Sequence, residues 1–110
     1  AEEAGLELLT RQCEWLPIPA VKGALVINVG DMLERQTAGR LRSTTHRVVN
    51  PRGEAAKRSR YSMPFFLHFR PDFLIEPLPE CIDPDAATPP PAPITAHDFL
   101  MQRLREINLA

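Results

Sequence analysis

The run RSTTHRVV, residues 42–49, ends at NPRG, residues 50–53, and RYSMPFFLHF follows at 60–69. Thr44, Thr45, Val48 and Val49 are β-branched, so the first run reads as a strand, NPRG as a turn, and 60–69 as the next strand. On the first strand Thr44, His46 and Val48 share a face. On the second, Arg60, Ser62, Phe66 and His68 share one face, and Tyr61, Met63, Phe65, Leu67 and Phe69 share the other. If 50–59 is a hairpin loop, a register with His46 opposite Ser62 puts Val48 opposite Arg60, roughly 7 Å along the strand from His46. An imidazole able to ligate a metal then faces a guanidinium and a hydroxyl. That suits a small dicarboxylate with one end on the metal and the other in the two-pronged grip of Arg60, beside Ser62. On spacing alone the plainer readings stand: a lone inward histidine more often fills a core, and an Arg-x-Ser pair is usually solvated.

Working outward, GLELLTRQCEWLPIP (5–19) reads as two short strands joined by a turn around Thr10–Gln12, with Cys13 a small apolar residue in the alternating pattern. Pro17 and Pro19 suit a sheet edge. GALVINVGD (23–31) reads as a strand buried on both faces. Asp31 is a candidate cap for a helical turn through MLERQTAG, which Gly39 ends. FLIEPL (73–78) is a further short strand. PDAATPPPAP (84–93) is a polyproline-like connector. The closing TAHDFLMQRLREINLA places Leu100, Leu104 and Ile107 at helical spacing, and Thr95 with Asp98 forms a capping-box variant. The expected division is a β portion over 1–83, a Pro-rich connector over 84–94 and an amphipathic helix over 95–110.

The chain has 110 residues, 13 basic and 14 acidic, with net charge −1. That balance provides no general field for nucleic acid or a membrane surface. The basic loop RGEAAKRSR lacks the interleaved aromatics that stack bases, so it reads as a solvated loop. No apolar run approaches the roughly 20 residues of a bilayer span. Cys13 and Cys81 lie in no metal-type spacing and read as free thiols of a cytoplasmic protein. The aromatic face of 60–69 needs more cover than one helix supplies. The chain is therefore expected to be part of a larger protein, or to self-associate through that face.

The block VINVGDMLERQTAGRLRSTTHRVVNP, with RYSMPFF after it, resembles the C-terminal half of the isopenicillin N synthase-like Fe(II)/2-oxoglutarate-dependent oxygenases. The matching residues are Asn28, Gly30, Asp31, Leu33, Gly39, Arg40, Ser43, His46, Arg47, Val48, Arg60, Ser62, Pro64, Phe65 and Phe66. The hairpin at 5–19 and the closing helix are similar as well. Ala38 departs from the family's usual Asn, and the loop before Arg60 is longer. The resemblance implies a mainly β fold, part of a double-stranded β-helix (jelly roll), with a C-terminal amphipathic helix. It implies that His46 is the distal histidine of a two-His-one-carboxylate iron site. Arg60 and Ser62 would bind the far carboxylate of 2-oxoglutarate, while Asn28, Thr44, Val48 and Phe66 are candidates to line the pocket. Fe(II), 2-oxoglutarate and O2 would together oxidise, by hydroxylation, a small organic substrate.

The family's other two ligands form a His-x-Asp pair before the hairpin. None of Asp31, Asp72, Asp83, Asp85 and Asp98 has a histidine two positions earlier. The expectation is a C-terminal portion carrying one ligand of three, inactive without the N-terminal segment that holds the pair. Two rival readings remain at this point: a same-fold oxygenase with another co-substrate, and a non-catalytic jelly-roll module that binds a carboxylate.

Overall fold

In a computed structural model, the structure describes residues 5–59 and 61–109. It contains β1 (Leu6–Leu9), β2 (Trp15–Pro17), α1 (Asp31–Gln36), β3 (His46–Val48), β4 (Leu74–Ile75), β5 (Ile94–Thr95) and α2 (Ala96–Glu106), with short 3-10 turns at Gly53–Lys57 and Pro79–Cys81. These divide into two units, residues 1–28 with 44–65, and residues 29–43 with 66–110. None of the described helices is long and apolar enough to cross a membrane.

The first unit is a three-stranded antiparallel sheet in the order β2-β1-β3. The turn expected near Thr10–Gln12 is there: the Cys13 amide donates to the Thr10 carbonyl, and the Thr10 amide to that of Glu14. Cys13 sits inside this turn at φ 62° and is exposed, so it is a turn residue rather than a strand hydrophobe. Pro17 ends β2 on the sheet edge, where a missing backbone donor costs no ladder bond.

Three expectations for this part of the chain are corrected. The strand expected over 42–49 is regular only at His46–Val48, and its ladder partner is β1, with Leu8 opposite His46, Glu7 opposite Arg47 and Leu6 opposite Val48. The residue opposite His46 in the ladder is thus Leu8 and not Ser62, and 50–59 holds a 3-10 turn instead of a tight hairpin. Residues 23–30 form no strand, and Leu25 and Ile27 are 89% and 88% exposed. Nor do the described residues of 60–69; Tyr61, Met63, Phe65 and Phe66 are all exposed. The same cause acts in both places. A β-patterned run becomes a strand only where another backbone bonds to it, and among the described residues none does.

The second unit packs around Ile75, Ala96 and Phe99, with Met32, Phe69 and Ile94 half-buried against them. Antiparallel β4 and β5 pair Leu74 with Thr95 and Ile75 with Ile94. The sequence reading missed β5, because Ile94 directly follows the prolines. Phe69 stacks on Phe73 with ring centroids 4.6 Å apart, so this one aromatic of 60–69 is covered.

At the start of α1 the cap is Gly30, and Asp31 is the first helical residue, with no side-chain cap bond. Asp31 instead pairs with Arg103 Nε at 3.3 Å. The end of α1 follows the expected stop. The Ala38 amide donates to the Arg35 carbonyl and the Gly39 amide to that of Glu34, both residues having positive φ, 48° and 79°. This is a Schellman closure. Helix α2 begins as its sequence implies: Thr95 Oγ1 accepts from the Asp98 amide at 3.1 Å and donates to the Asp98 carboxylate at 2.7 Å. Its buried stripe runs through Ala96 and Phe99, with Leu100 and Leu104 half-buried and Ile107 exposed, a rotation from the expected face.

Candidate metal-binding face

Opposed residues of a sheet share a face. On β2-β1-β3 this sets His46 and Val48 beside Leu6, Leu8 and Leu16, and sets Glu7, Arg47 and Trp15 on the other side. His46 is exposed on its apolar face, and its Nδ1 lies 3.0 Å from the Thr44 carbonyl oxygen. A carbonyl only accepts, so the ring proton in this contact is on Nδ1. Nε2 then carries the lone pair, the tautomer in which a histidine binds a metal through Nε2. Among the described residues, no group of three or more His, Cys, Asp or Glu is gathered as a cation site. His46 thus fits the part of a single metal ligand, and no full ligand set accompanies it there.

Of the other candidates, Asn28, Thr44, Val48 and Ser62 belong to the same unit as His46, and all are exposed. Phe66 belongs to the second unit, is 76% exposed, and lies 6.1 Å from the His68 ring. Arg60, the expected carboxylate anchor, lies outside the described residues. What the sequence reading did not anticipate is the far side of the sheet. Arg47 Nε donates to Glu7 Oε2 at 2.8 Å, while its guanidinium carbon stands 3.9 Å from the Trp15 ring centroid. The alternation of β3 already turned Arg47 away from His46; only the pairing with β1 and β2 shows what it meets.

Residues 1–69 match the sequence model of the 2OG-Fe(II) oxygenase superfamily. A 2-oxoglutarate-dependent dioxygenase of Epichloe uncinata, lolO2, is 42% identical over 90 residues, covering 73% of this chain and 25% of its own. The 2-oxoglutarate-Fe(II) type oxidoreductase hxnY of Emericella nidulans is 38% identical, with 90% of this chain and 27% of that protein covered. The chain thus spans about a quarter of the length of these relatives. Among solved structures, a 2OG-Fe(II) oxygenase family protein of Caulobacter crescentus is 55% identical with a TM-score of 0.89, across 97% of this chain and 35% of that one. A full-length Neurospora crassa protein, solved in complex with alpha-KG, is 21% identical and superposes at a TM-score of 0.70 over 96% of this chain and 32% of that one, a likeness of fold. The fold class is accordingly mainly β, part of a jelly roll, and the chain belongs to the 2OG-Fe(II) oxygenase superfamily.

Proposed function

We propose that this chain is the C-terminal part of an Fe(II)/2-oxoglutarate-dependent dioxygenase that hydroxylates a small organic substrate. The observation that carries the reading is His46: in a chain of this family, it is exposed on the apolar face of the sheet, with Nδ1 3.0 Å from the Thr44 carbonyl oxygen. His46 would supply one iron ligand through Nε2. The other two would come from the part of the protein that corresponds to the stretch of the relatives beyond this chain's span. Iron, 2-oxoglutarate and O2 together would supply the oxidation.

The remaining roles belong to the protein. Arg60 and Ser62 would grip the far carboxylate of 2-oxoglutarate, the guanidinium by a two-pronged charge-assisted pair and the hydroxyl by one further bond. Asn28, Thr44 and Val48 are proposed to line the pocket. Thr44 has a second part, since its carbonyl orients the imidazole. Two free thiols, Cys13 and Cys81, accord with a cytoplasmic setting.

The test is co-substrate turnover by the complete protein. Succinate and CO2 should form from 2-oxoglutarate only with Fe(II) and O2 present, and should rise when the substrate is added. Substrate oxidation without succinate would point to another co-substrate. Binding of 2-oxoglutarate that is indifferent to Fe(II), without turnover, would point to a carboxylate-binding module.

A further inference from the structure

We propose that Arg47 is a positioning residue for His46: its clamp on Glu7 and Trp15 sets the register of β3 on β1, and so the place of Nε2. The inference rests on His46 being an iron ligand, as proposed above. β3 has three regular residues, all exposed, at the edge of the described sheet. A ladder so short holds its register weakly. A slip of one residue would turn His46 to the opposite face, and a slip of two would carry it about 7 Å along the strand. Beyond the three paired residues, one bond continues the ladder at each end: the Leu9 amide donates to the Thr45 carbonyl and the Val49 amide to that of Gly5, both at 2.8 Å.

Side chains supply the rest. Arg47 lies opposite Glu7, the middle residue between those two bonded positions. Its Nε–H bonds the Glu7 carboxylate across the β3–β1 seam, and its guanidinium reaches across β1 to the ring of Trp15 on β2. One side chain thereby ties all three strands together. A slip in either direction would separate the guanidinium from both partners. The clamp lies on the face away from His46, so its removal leaves the metal side chemically untouched. That separation makes it testable.

The experiment compares Arg47→Ala, Arg47→Lys, Glu7→Gln and His46→Ala in the complete protein, with anaerobic Fe(II) titration as one readout. Loss of a residue that orients a ligand typically weakens metal binding about 10- to 100-fold. Arg47→Ala should do so, with Arg47→Lys and Glu7→Gln between it and wild type. The second readout needs no metal. The Leu9 and Val49 amides should exchange at least about tenfold faster in Arg47→Ala, while α2 amides keep their protection, and the cross-strand Hα–Hα contact of Leu8 with His46 should weaken. Wild-type Fe(II) affinity together with unchanged Leu9 and Val49 exchange would overturn the proposal. If Arg47→Ala fails to fold, the two milder variants decide by the same criteria. If His46→Ala binds Fe(II) like wild type, the iron reading fails, whereas the exchange data still decide whether the clamp sets the register.

Discussion

Ala38 and Gly39 close α1 in consecutive left-handed conformations, and they invite opposite substitutions. Ala38 has φ 48° and Gly39 φ 79°. An L side chain in this region costs about 1–2 kcal/mol, and removing it releases that strain. Replacing alanine by glycine also frees the unfolded chain, which offsets about 0.4–1 kcal/mol. The net for Ala38→Gly is a gain of roughly 0.8 kcal/mol. Gly39→Ala runs the other way by a similar amount, because a Cβ at Gly39 meets nothing within 4 Å and adds no clash. The reporter is the Thr37 amide, which donates to the Leu33 carbonyl in the last turn of α1. At 1.4 kcal/mol per decade, a change of roughly 0.8 kcal/mol alters local opening about fourfold. Exchange at Thr37 should slow about fourfold in Ala38→Gly and quicken about fourfold in Gly39→Ala. Faster exchange in Ala38→Gly would refute the left-handed assignment of residue 38. Ala38→Asn, which restores the family's usual residue, should lie near the glycine variant.

Other outcomes follow from the second unit. Phe99 is 4% exposed, with the guanidinium carbons of Arg35 and Arg103 at 5.4 and 5.2 Å from its ring centroid. Phe99→Ala should cost about 3–5 kcal/mol by denaturant unfolding, and a cost below about 1 kcal/mol would contradict its core placement. Thr95→Ala should cost about 1 kcal/mol through loss of the α2 cap, most of which Thr95→Ser should recover. The Glu106 carboxyl is held below the usual carboxylate range by hydrogen bonds from Arg103 and then Gln102. Its folded value lies below its unfolded one, so its stabilisation is present above the unfolded value and is lost as pH falls through the folded one. NMR titration should show this lowering in wild type and a return toward the ordinary range in Arg103→Gln.

Local chemistry in the sequence carried the turns and caps, since those depend on residues within a few positions. The Thr10 turn, the Gly39 stop and the Thr95–Asp98 cap are all present. Pairing was less legible. RSTTHRVV has the composition of a strand, but its partner lies some 40 residues earlier, and no periodicity distinguishes Leu8 from Ser62 as the residue opposite His46. The runs 23–31 and 60–69 show the limit of alternation: it reports what a backbone would do with a neighbour, not whether one is present. His46 was legible as a candidate from its strand face and the family pattern. The Arg47 clamp depends on two other strands and was not.

Iron ligation by His46 is decided by anaerobic titration of Fe(II) and then 2-oxoglutarate into the complete protein, following the visible metal-to-ligand charge-transfer band. Wild type should develop the band, and His46→Ala should not, while keeping its fold. Arg60→Ala should develop it only at 2-oxoglutarate concentrations about two to three decades higher, since removing one partner of a charge pair that ligand binding desolvates costs about 3–5 kcal/mol, with Arg60→Lys in between. A His46→Ala protein that binds Fe(II) and develops the band like wild type would show that His46 is not an iron ligand.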